Sequence, residues 1–378
     1  NLFVSRKKIM SSRLLSGLAA IAVSLFVTLS SVSAETVTVT DTMGRQVAVP
    51  ADARRILLGF YFEDFYAIGG ANAYDRVVAI SRSTWRGWRN SQWKAYVAVN
   101  PKIAKLVDVG EVDSGTFSIE TAIAAKPDVA ILAAWQFRAL GEVVNKLEAA
   151  GIPVVVADYN AQTIEKHVTS TLMIGKILGQ DERARKLADQ YANAVSDVLA
   201  RVAKSAAPRK KVYVELGNKG AGEYGNSYGK GMWGGVIDFA GGDNIALGKV
   251  ENWGALNPEY VISSDPEAIF IAGSYWAKKK KAVLMGFGVT ASQTRARLAP
   301  YTGRPGWSGI KAVKSGNVHA LYHGGARTLY DFTFLQYVAK ALHPKAFADV
   351  DPVANHRRFY ETWLPVEATG TFTVKLKD

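Results

Sequence analysis

SIETAIAAKPDVAIL, at residues 118–132, has the same layout as NPEYVISSDPEAIFI, at residues 257–271. Each segment contains a glutamate, Glu120 or Glu259, then an apolar helical stretch, a proline, an acidic residue and a run of the type found in buried strands. Strands that alternate with helices form mostly parallel sheets covered by helices. The repeat therefore predicts an α/β protein with two lobes, each built on a central, mostly parallel sheet.

The pattern around the two segments predicts the boundaries of the lobes. Alternating residues at 36–50 predict a β-hairpin, and β-type runs and helical stretches follow it. Residues 163–204 have helical periodicity with an interruption at LGQDE (178–182), which predicts a long helical connection. A second alternating series begins with KKVYVEL at 210–216. We therefore expect an N-terminal α/β lobe over 35–160, a connecting helical segment over 161–207 and a C-terminal α/β lobe over 208–378.

Residues 1–34 have the pattern of a secretory signal peptide. Basic residues precede the apolar run LLSGLAAIAVSLFVTL (14–29), and a small-x-small cleavage site ends at Ala34. The run is short for a membrane span and contains Ser and Gly. Met10 is a plausible start of translation, which would place residues 1–9 upstream of the signal. We expect cleavage before Glu35 and a mature protein in the periplasm.

The composition limits the classes of function. The chain has 378 residues, 48% of them apolar, which is enough for more than one hydrophobic core. It contains no cysteine, which excludes disulfides and thiolate chemistry within it. The net charge of +13 favours an anionic partner, although a generic basic surface would give the same count. We find no nucleic-acid-binding motif and expect no nucleic-acid partner.

Several segments resemble the substrate-binding proteins of ABC importers for ferric siderophores, haem and cobalamin. They are VTDTMGRQVAVPADARRILL (39–58), the two repeated segments, the helical connection and GGVIDFAGGDNIA (234–246), and the similarity extends over nearly all of 36–365. The resemblance implies a monomer with two α/β lobes joined by a rigid helix, and a ligand held between the lobes. It also implies that one glutamate in each lobe, here Glu120 and Glu259, pairs with arginines of a permease dimer. A purely structural role in the first turn of a helix stays open for both glutamates.

Candidate ligand contacts follow the predicted strands, because side chains after the carboxyl ends of parallel strands face the crevice of such a fold. Aromatic faces and guanidinium groups suit a planar or catecholate anion, and phenolate and imidazole suit Fe(III). Tyr322 and His323 could bind the metal directly, but the sequence defines no firm metal site. For any single aromatic residue, packing in the core is an equally good explanation. The candidates are Tyr61, Glu63, Trp85, Arg86, Trp135, Tyr224, Tyr228, Tyr275, Tyr322, His323 and Arg327.

An enzymatic alternative rests on GNSYG (225–229), which matches the G-x-S-x-G pattern of serine esterases. Ser227 would be the nucleophile, with Asp331 and either His343 or His356. A nucleophile elbow needs a strand that runs directly into the motif, whereas VYVEL ends well before it.

We therefore predict a non-enzymatic periplasmic receptor. It would bind an iron-containing, anionic chelate and deliver it to an inner-membrane ABC permease. We expect no intrinsic cofactor, with ferric iron carried as part of the ligand. Haem, cobalamin and free ferric ion stay open as alternative ligands, and the esterase stays open as the alternative class.

Overall fold

The computed structural model describes residues 35–377, so the predicted signal peptide lies outside the described residues. Within this range no helix combines the length and the apolar character that crossing a membrane requires. The strands are β1 (Thr36–Thr40), β2 (Gln46–Pro50), β3 (Ile56–Leu58), β4 (Val77–Ile80), β5 (Val107–Asp108), β6 (Val129–Ala133), β7 (Val154–Ala157), β8 (Lys211–Leu216), β9 (Asn226–Tyr228), β10 (Asp243–Asn244), β11 (Trp253–Ala255), β12 (Ala268–Gly273), β13 (Gly286–Phe287), β14 (Val318–Tyr322), β15 (Gly370–Thr371) and β16 (Thr373–Lys375).

Helices cover and connect these strands. They are α1 (Phe62–Gly69), α2 (Arg82–Trp88), α3 (Asn90–Val99), α4 (Ile119–Ala124), α5 (Ala134–Leu140), α6 (Asn145–Ala149), α7 (Ile164–Ile177), α8 (Asp181–Ser205), α9 (Met232–Phe239), α10 (Pro258–Ser264), α11 (Ala291–Leu298), α12 (Lys311–Ser315), α13 (Asp331–Leu342) and α14 (Pro352–Trp363).

Two five-stranded sheets form the centres of two lobes. The first has the order β5-β4-β3-β6-β7 and is parallel throughout. The second has the order β10-β8-β12-β14-β16 and is parallel except for the edge strand β16. The predicted α/β fold with two mostly parallel sheets is confirmed, and β1 and β2 form the predicted hairpin.

The repeated segments occupy matching places in the two lobes. One forms α4 and β6, and the other forms α10 and β12. Ser118 caps α4 by accepting a hydrogen bond from the Thr121 N–H, and Asn257 caps α10 by accepting from Glu259 and Tyr260. Both strands are buried along their whole length, as expected for a strand inside a helix-covered sheet.

The connection between the lobes is helical, as predicted, and contains one long helix, α8, of 25 residues, against which the shorter α7 packs. The chain turns at the predicted interruption, where Gly179 adopts a φ of +63°, a conformation that favours glycine. The helices approach closely at Gly175, where an added Cβ would lie 2.2 Å from the Cβ of Ala184. The buried face of α8 includes Leu187, Tyr191 and Val198, which seals the connection against the rest of the protein.

Candidate ligand-binding cleft

A cleft of about 640 Å³ opens at the carboxyl ends of the parallel strands and has walls from both lobes. Residues that follow β6, β12 and β14 line it, as the crevice rule for parallel sheets predicts. Its lining includes Trp88, Glu111, Asp113, Trp135 and Asn160 from the first lobe, and Tyr228, Met232, Trp253, Trp276, Lys278, Lys279, His323 and Arg327 from the second.

Arg327 is a buried cation with no anionic partner in the described part of the chain. Its side chain is 6% exposed, and among the described residues no carboxylate lies within ion-pairing distance. Its Nη1 lies 3.5 Å from the Met232 sulfur, and its Nε has no hydrogen-bond partner in residues 35–377. Burial, and then the charge of Arg89, lowers the pKa of Arg327 to about 10, so the group stays protonated at neutral pH. A buried charge is normally paired, and this one is available to a ligand anion.

Arg89 lies close to Arg327 and was missed by the sequence analysis. Its guanidinium lies 5.2 Å from the centre of the Phe60 ring, and that of Arg327 lies 5.0 Å from the same ring. The Arg89 side chain is also buried, and its Nη2 has no partner among the described residues. The two arginines therefore give the floor of the cleft a positive electrostatic potential, and their contacts with the Phe60 ring do not neutralise this charge.

His323 is neutral in this arrangement and accepts a hydrogen bond within the protein. Its Nδ1 accepts a hydrogen bond of 3.1 Å from the indole N–H of Trp233, which assigns the ring proton to Nε2. Burial, and then the charges of Arg327 and Arg89, lowers the pKa of His323 well below its usual range. A ring nitrogen that carries its proton cannot coordinate a metal, so this tautomer favours contact with an anionic ligand over direct binding of iron.

Tryptophans form the walls of the cleft. The rings of Trp88 and Trp135 stack with centres 6.0 Å apart, and Trp276 lies 6.3 Å from the ring of His323. Trp253 is 52% exposed at the mouth. A second cavity of about 540 Å³ shares Trp135 and Trp253 with the cleft. Flat aromatic surfaces of this extent suit a ligand with planar rings.

The cleft also contains acidic side chains on the loop between β5 and α4. Burial raises the pKa of both Glu111 and Asp113. The negative charge of Asp113 raises the pKa of Glu111 further, whereas the positive charge of Arg327 lowers the pKa of Asp113. Lys278 and Lys279 add positive charge on the wall formed by the second lobe. Cations therefore exceed carboxylates in the lining.

The structure brings four predicted contacts into the cleft and places seven outside its lining. Trp135, Tyr228, His323 and Arg327 line it. The seven are Tyr61, Glu63, Trp85, Arg86, Tyr224, Tyr275 and Tyr322.

Local packing explains several of these positions. Trp85 faces the core, where it stacks on Phe62 at 4.6 Å, and Arg86 is exposed to solvent. The hydroxyl of Tyr224 accepts a hydrogen bond from Trp307, away from the cleft. Tyr61 lies directly behind the lining, where its hydroxyl donates to the Asn160 side chain at 2.6 Å. Tyr275 is partly exposed.

Glu63 and Tyr322 belong to a buried hydrogen-bond network between the lobes rather than to the cleft lining. The Glu63 carboxylate accepts hydrogen bonds from Gln92 and Tyr96 of the first lobe and from Tyr330 and Tyr360 of the second. Gln92 also donates to the Tyr322 hydroxyl at 3.1 Å. Burial raises the pKa of Glu63, and the hydrogen bonds from the tyrosines oppose that shift. The network fixes the contact between the lobes behind the cleft.

The geometry of a serine hydrolase is absent from the described residues. Ser227 is fully buried in the middle of β9, and its hydroxyl has no partner there. Asp331 instead accepts hydrogen bonds from His167 and Gln162, both at 2.8 Å. His343 contacts the Ala240 carbonyl through its Nε2. A nucleophile needs an adjacent base, so the esterase alternative is wrong.

Glu120 and Glu259 are exposed in the first turns of α4 and α10. The Ser118 N–H at the start of α4 donates to the Val109 carbonyl, directly after β5, and the Tyr260 hydroxyl in the first turn of α10 donates to the Ile245 carbonyl, directly after β10. Both first turns therefore lie at the carboxyl edge of their sheet. The cleft opens at this edge. Each lobe therefore presents one glutamate on the side of the molecule that contains the mouth of the cleft.

Residues 56–322 match the periplasmic binding protein family, and the chain belongs to that family. It is a solute-binding protein of the ABC-transporter type, not an enzyme. The TroA-like periplasmic binding protein FepB from Veillonella parvula has 34% sequence identity and a TM-score of 0.82, over 90% of this chain and 99% of that chain.

Two more distant structures share the fold. The molybdate-binding protein MolA from Haemophilus influenzae, bound to molybdate, is 18% identical with a TM-score of 0.67, over 88% of this chain and 99% of that chain. A periplasmic haem-binding protein from Pseudomonas aeruginosa is 19% identical with a TM-score of 0.55, over 78% of this chain and 94% of that chain.

Proposed function

We propose that the protein binds an anionic iron chelate in the cleft and delivers it to an inner-membrane ABC permease. The observation that carries this proposal is Arg327, a buried cation that pairs with no carboxylate in residues 35–377 and lies at the floor of a cleft with tryptophan walls. Two proteins of the same fold have molybdate and haem as ligands, and both of these carry negative charge. Iron enters and leaves as part of the ligand, and the protein acts as a monomer without an intrinsic cofactor.

Each group in the cleft has a role in this proposal. The guanidinium of Arg327 pairs with a negatively charged group of the chelate, in a site where low solvent access strengthens the contact. The Nε2–H of His323 donates a hydrogen bond to a second acceptor of the ligand. Trp88 and Trp135 stack on its planar rings. The network at Glu63 keeps the lobes together, so that binding requires small adjustments rather than wide closure.

Location and delivery complete the proposal. Residues 1–34 direct export and are removed, which leaves the mature chain in the periplasm. Glu120 and Glu259 then pair with cationic residues on the two halves of the permease. Their exposure on the side of the cleft mouth supports this role.

Replacement of Arg327 tests the ligand class. Arg327→Gln should weaken binding of an anionic ferric catecholate at least tenfold, because a charge-assisted contact in a closed site contributes about 1.5–3 kcal/mol. Intrinsic tryptophan fluorescence can follow a titration with the ferric complex, with haemin and with cobalamin. Arg86→Gln, at an exposed arginine outside the cleft, is the matched control. Equal affinity of the two variants would contradict the role of Arg327, and preferential binding of cobalamin would contradict the anionic chelate.

A further inference from the structure

A second concave site lies at the opposite edge of the second lobe. It has a volume of about 940 Å³ and is formed where Lys210, Glu267 and Asn317 precede β8, β12 and β14. These are the amino ends of the parallel strands, whereas the cleft opens at their carboxyl ends. The site is therefore separate from the ligand-binding cleft, and neither the family assignment nor the proposed function uses it. We call it the lysine pocket.

Five lysines line the lysine pocket: Lys210, Lys311, Lys314, Lys340 and Lys375. Glu267 is the sole carboxylate in this lining, and its side chain accepts a hydrogen bond from the Lys211 N–H. Positive charge therefore exceeds negative charge strongly within one depression. The lysine ammonium groups repel one another, and a concave surface lined by charges of one sign concentrates the electrostatic field. The pocket therefore attracts an anion with several negative charges.

Most of this charge is not neutralised by the protein. Lys311 pairs with the partly exposed Asp265 at 3.2 Å, and Lys340 donates to the Val350 carbonyl at 2.6 Å. Among the described residues, no carboxylate lies within ion-pairing distance of Lys210, Lys314 or Lys375. These three ammonium groups come from the residue before β8, from α12 and from β16, and they keep all their donors for a ligand.

The floor of the pocket is neutral and hydrogen-bonded. His319 is 5% exposed, and its two ring nitrogens contact Tyr337 and Asn317 at 2.9 and 2.7 Å. Burial, and then the charge of Lys375, lowers the pKa of His319 to about 3, so the imidazole is neutral at physiological pH. The lysines alone would therefore neutralise the negative charge of a ligand, because the side chains of the floor are uncharged.

We infer that the lysine pocket binds a compact anion with several phosphate groups. Lysines supply mobile point charges, which suit phosphate oxygens, and linked phosphates provide several negative charges within a small volume. The same chemistry occurs in soluble oligophosphates and in phosphate-bearing lipid headgroups. The pocket faces away from the cleft, so such a ligand can bind while the cleft is occupied.

Inorganic tripolyphosphate is a direct probe, and isothermal titration calorimetry on the ligand-free protein measures its binding. We expect one site, weakened at least tenfold in a triple variant with Lys210→Glu, Lys314→Glu and Lys375→Glu. A control with Lys94→Glu, Lys105→Glu and Lys146→Glu changes the net charge equally at exposed lysines of the first lobe. It should bind like the wild type, and thermal unfolding confirms that both variants fold. Equal losses in the two variants would show nonspecific attraction and overturn the proposal.

Two further measurements separate the sources of phosphate. Citrate should bind more weakly than tripolyphosphate, and equal binding would overturn the preference for phosphate. Flotation with phosphatidylcholine vesicles that contain cardiolipin, whose headgroup carries two phosphates, tests a lipid headgroup. Binding of tripolyphosphate or of the vesicles supports the site if the pocket variant loses that binding and the control variant keeps it. Absence of both overturns it.

Discussion

Asp64 is a buried carboxyl group at the contact between the lobes, and its ionisation should oppose folding. Its Oδ1 accepts a hydrogen bond of 2.6 Å from the Leu329 N–H. Burial raises its pKa well above the usual value of 3.8, the Leu329 N–H opposes the shift, and the charges of Glu63 and Asp331 add to it. The folded state therefore holds this proton at pH values where the unfolded chain has released it. Stability is lost as the pH rises from about 4 towards the raised pKa.

Asp64→Asn should remove this part of the pH dependence while keeping an acceptor for Leu329. We expect the stability of the variant relative to the wild type to increase between pH 4 and pH 7, by about 1.4 kcal/mol for each unit by which the native pKa is raised within that range. Urea unfolding at a series of pH values measures the difference. A difference that stays constant with pH would show that Asp64 does not titrate in this way.

At the same scale, the sequence predicted segments of the cleft better than individual side chains. The candidates Trp85 and Arg86 belong to SRSTWRGWRNSQW (81–93), a segment that does contribute to the cleft, but neither of these side chains lines it. The side chains at the cleft are those three residues later, Trp88 in the lining and Arg89 beneath it. A short helix offers several faces, and the local pattern does not say which one meets the other lobe.

At the scale of elements, the packing of α7 against α8 determines the connection between the lobes. Gly175→Ala should destabilise the protein, because the new methyl group would lie 2.2 Å from the Cβ of Ala184 and the helices would have to separate. Overpacking of this kind costs about 1–3 kcal/mol. Gly87→Ala in α2 is the control, since a Cβ there has no neighbour within 4 Å. It should be neutral or stabilising by up to about 1 kcal/mol. Equal melting temperatures for the two variants would contradict close packing of α7 and α8.

Elements were predictable where their signals are local. The two repeated segments contain a cap, an apolar helical stretch and a buried strand in sequence order, and they form as predicted. The hydrogen-bond network at Glu63 was not predictable, because Tyr330 and Tyr360 lie 267 and 297 positions after Glu63 in the sequence. The pattern of residues within one segment gives no information about a contact between residues so far apart in the sequence.

At the scale of the whole molecule, the charged features lie on different edges. The cleft and the exposed Glu120 and Glu259 lie towards the carboxyl ends of the strands, and the lysine pocket lies at their amino ends. A permease that receives the ligand must approach the edge where the cleft opens. One exposed carboxylate per lobe on that side would match a partner with two related halves, because paired charges at a fixed separation set the orientation of a complex.

Replacement of both Glu120 and Glu259 by Ala should therefore reduce uptake sharply and leave chelate affinity nearly unchanged, since neither side chain lines the cleft. If the two glutamates served only their helices, the loss would be about 0.3–1 kcal/mol of stability per site, with no specific effect on uptake. Glu165→Ala with Glu182→Ala is the control, because both are exposed first-turn glutamates on the connecting helices α7 and α8. Uptake by the importer reconstituted in liposomes, chelate affinity and melting temperature distinguish the two roles. Normal uptake by the Glu120 and Glu259 double variant, or an equal defect in the control, would contradict docking through these carboxylates.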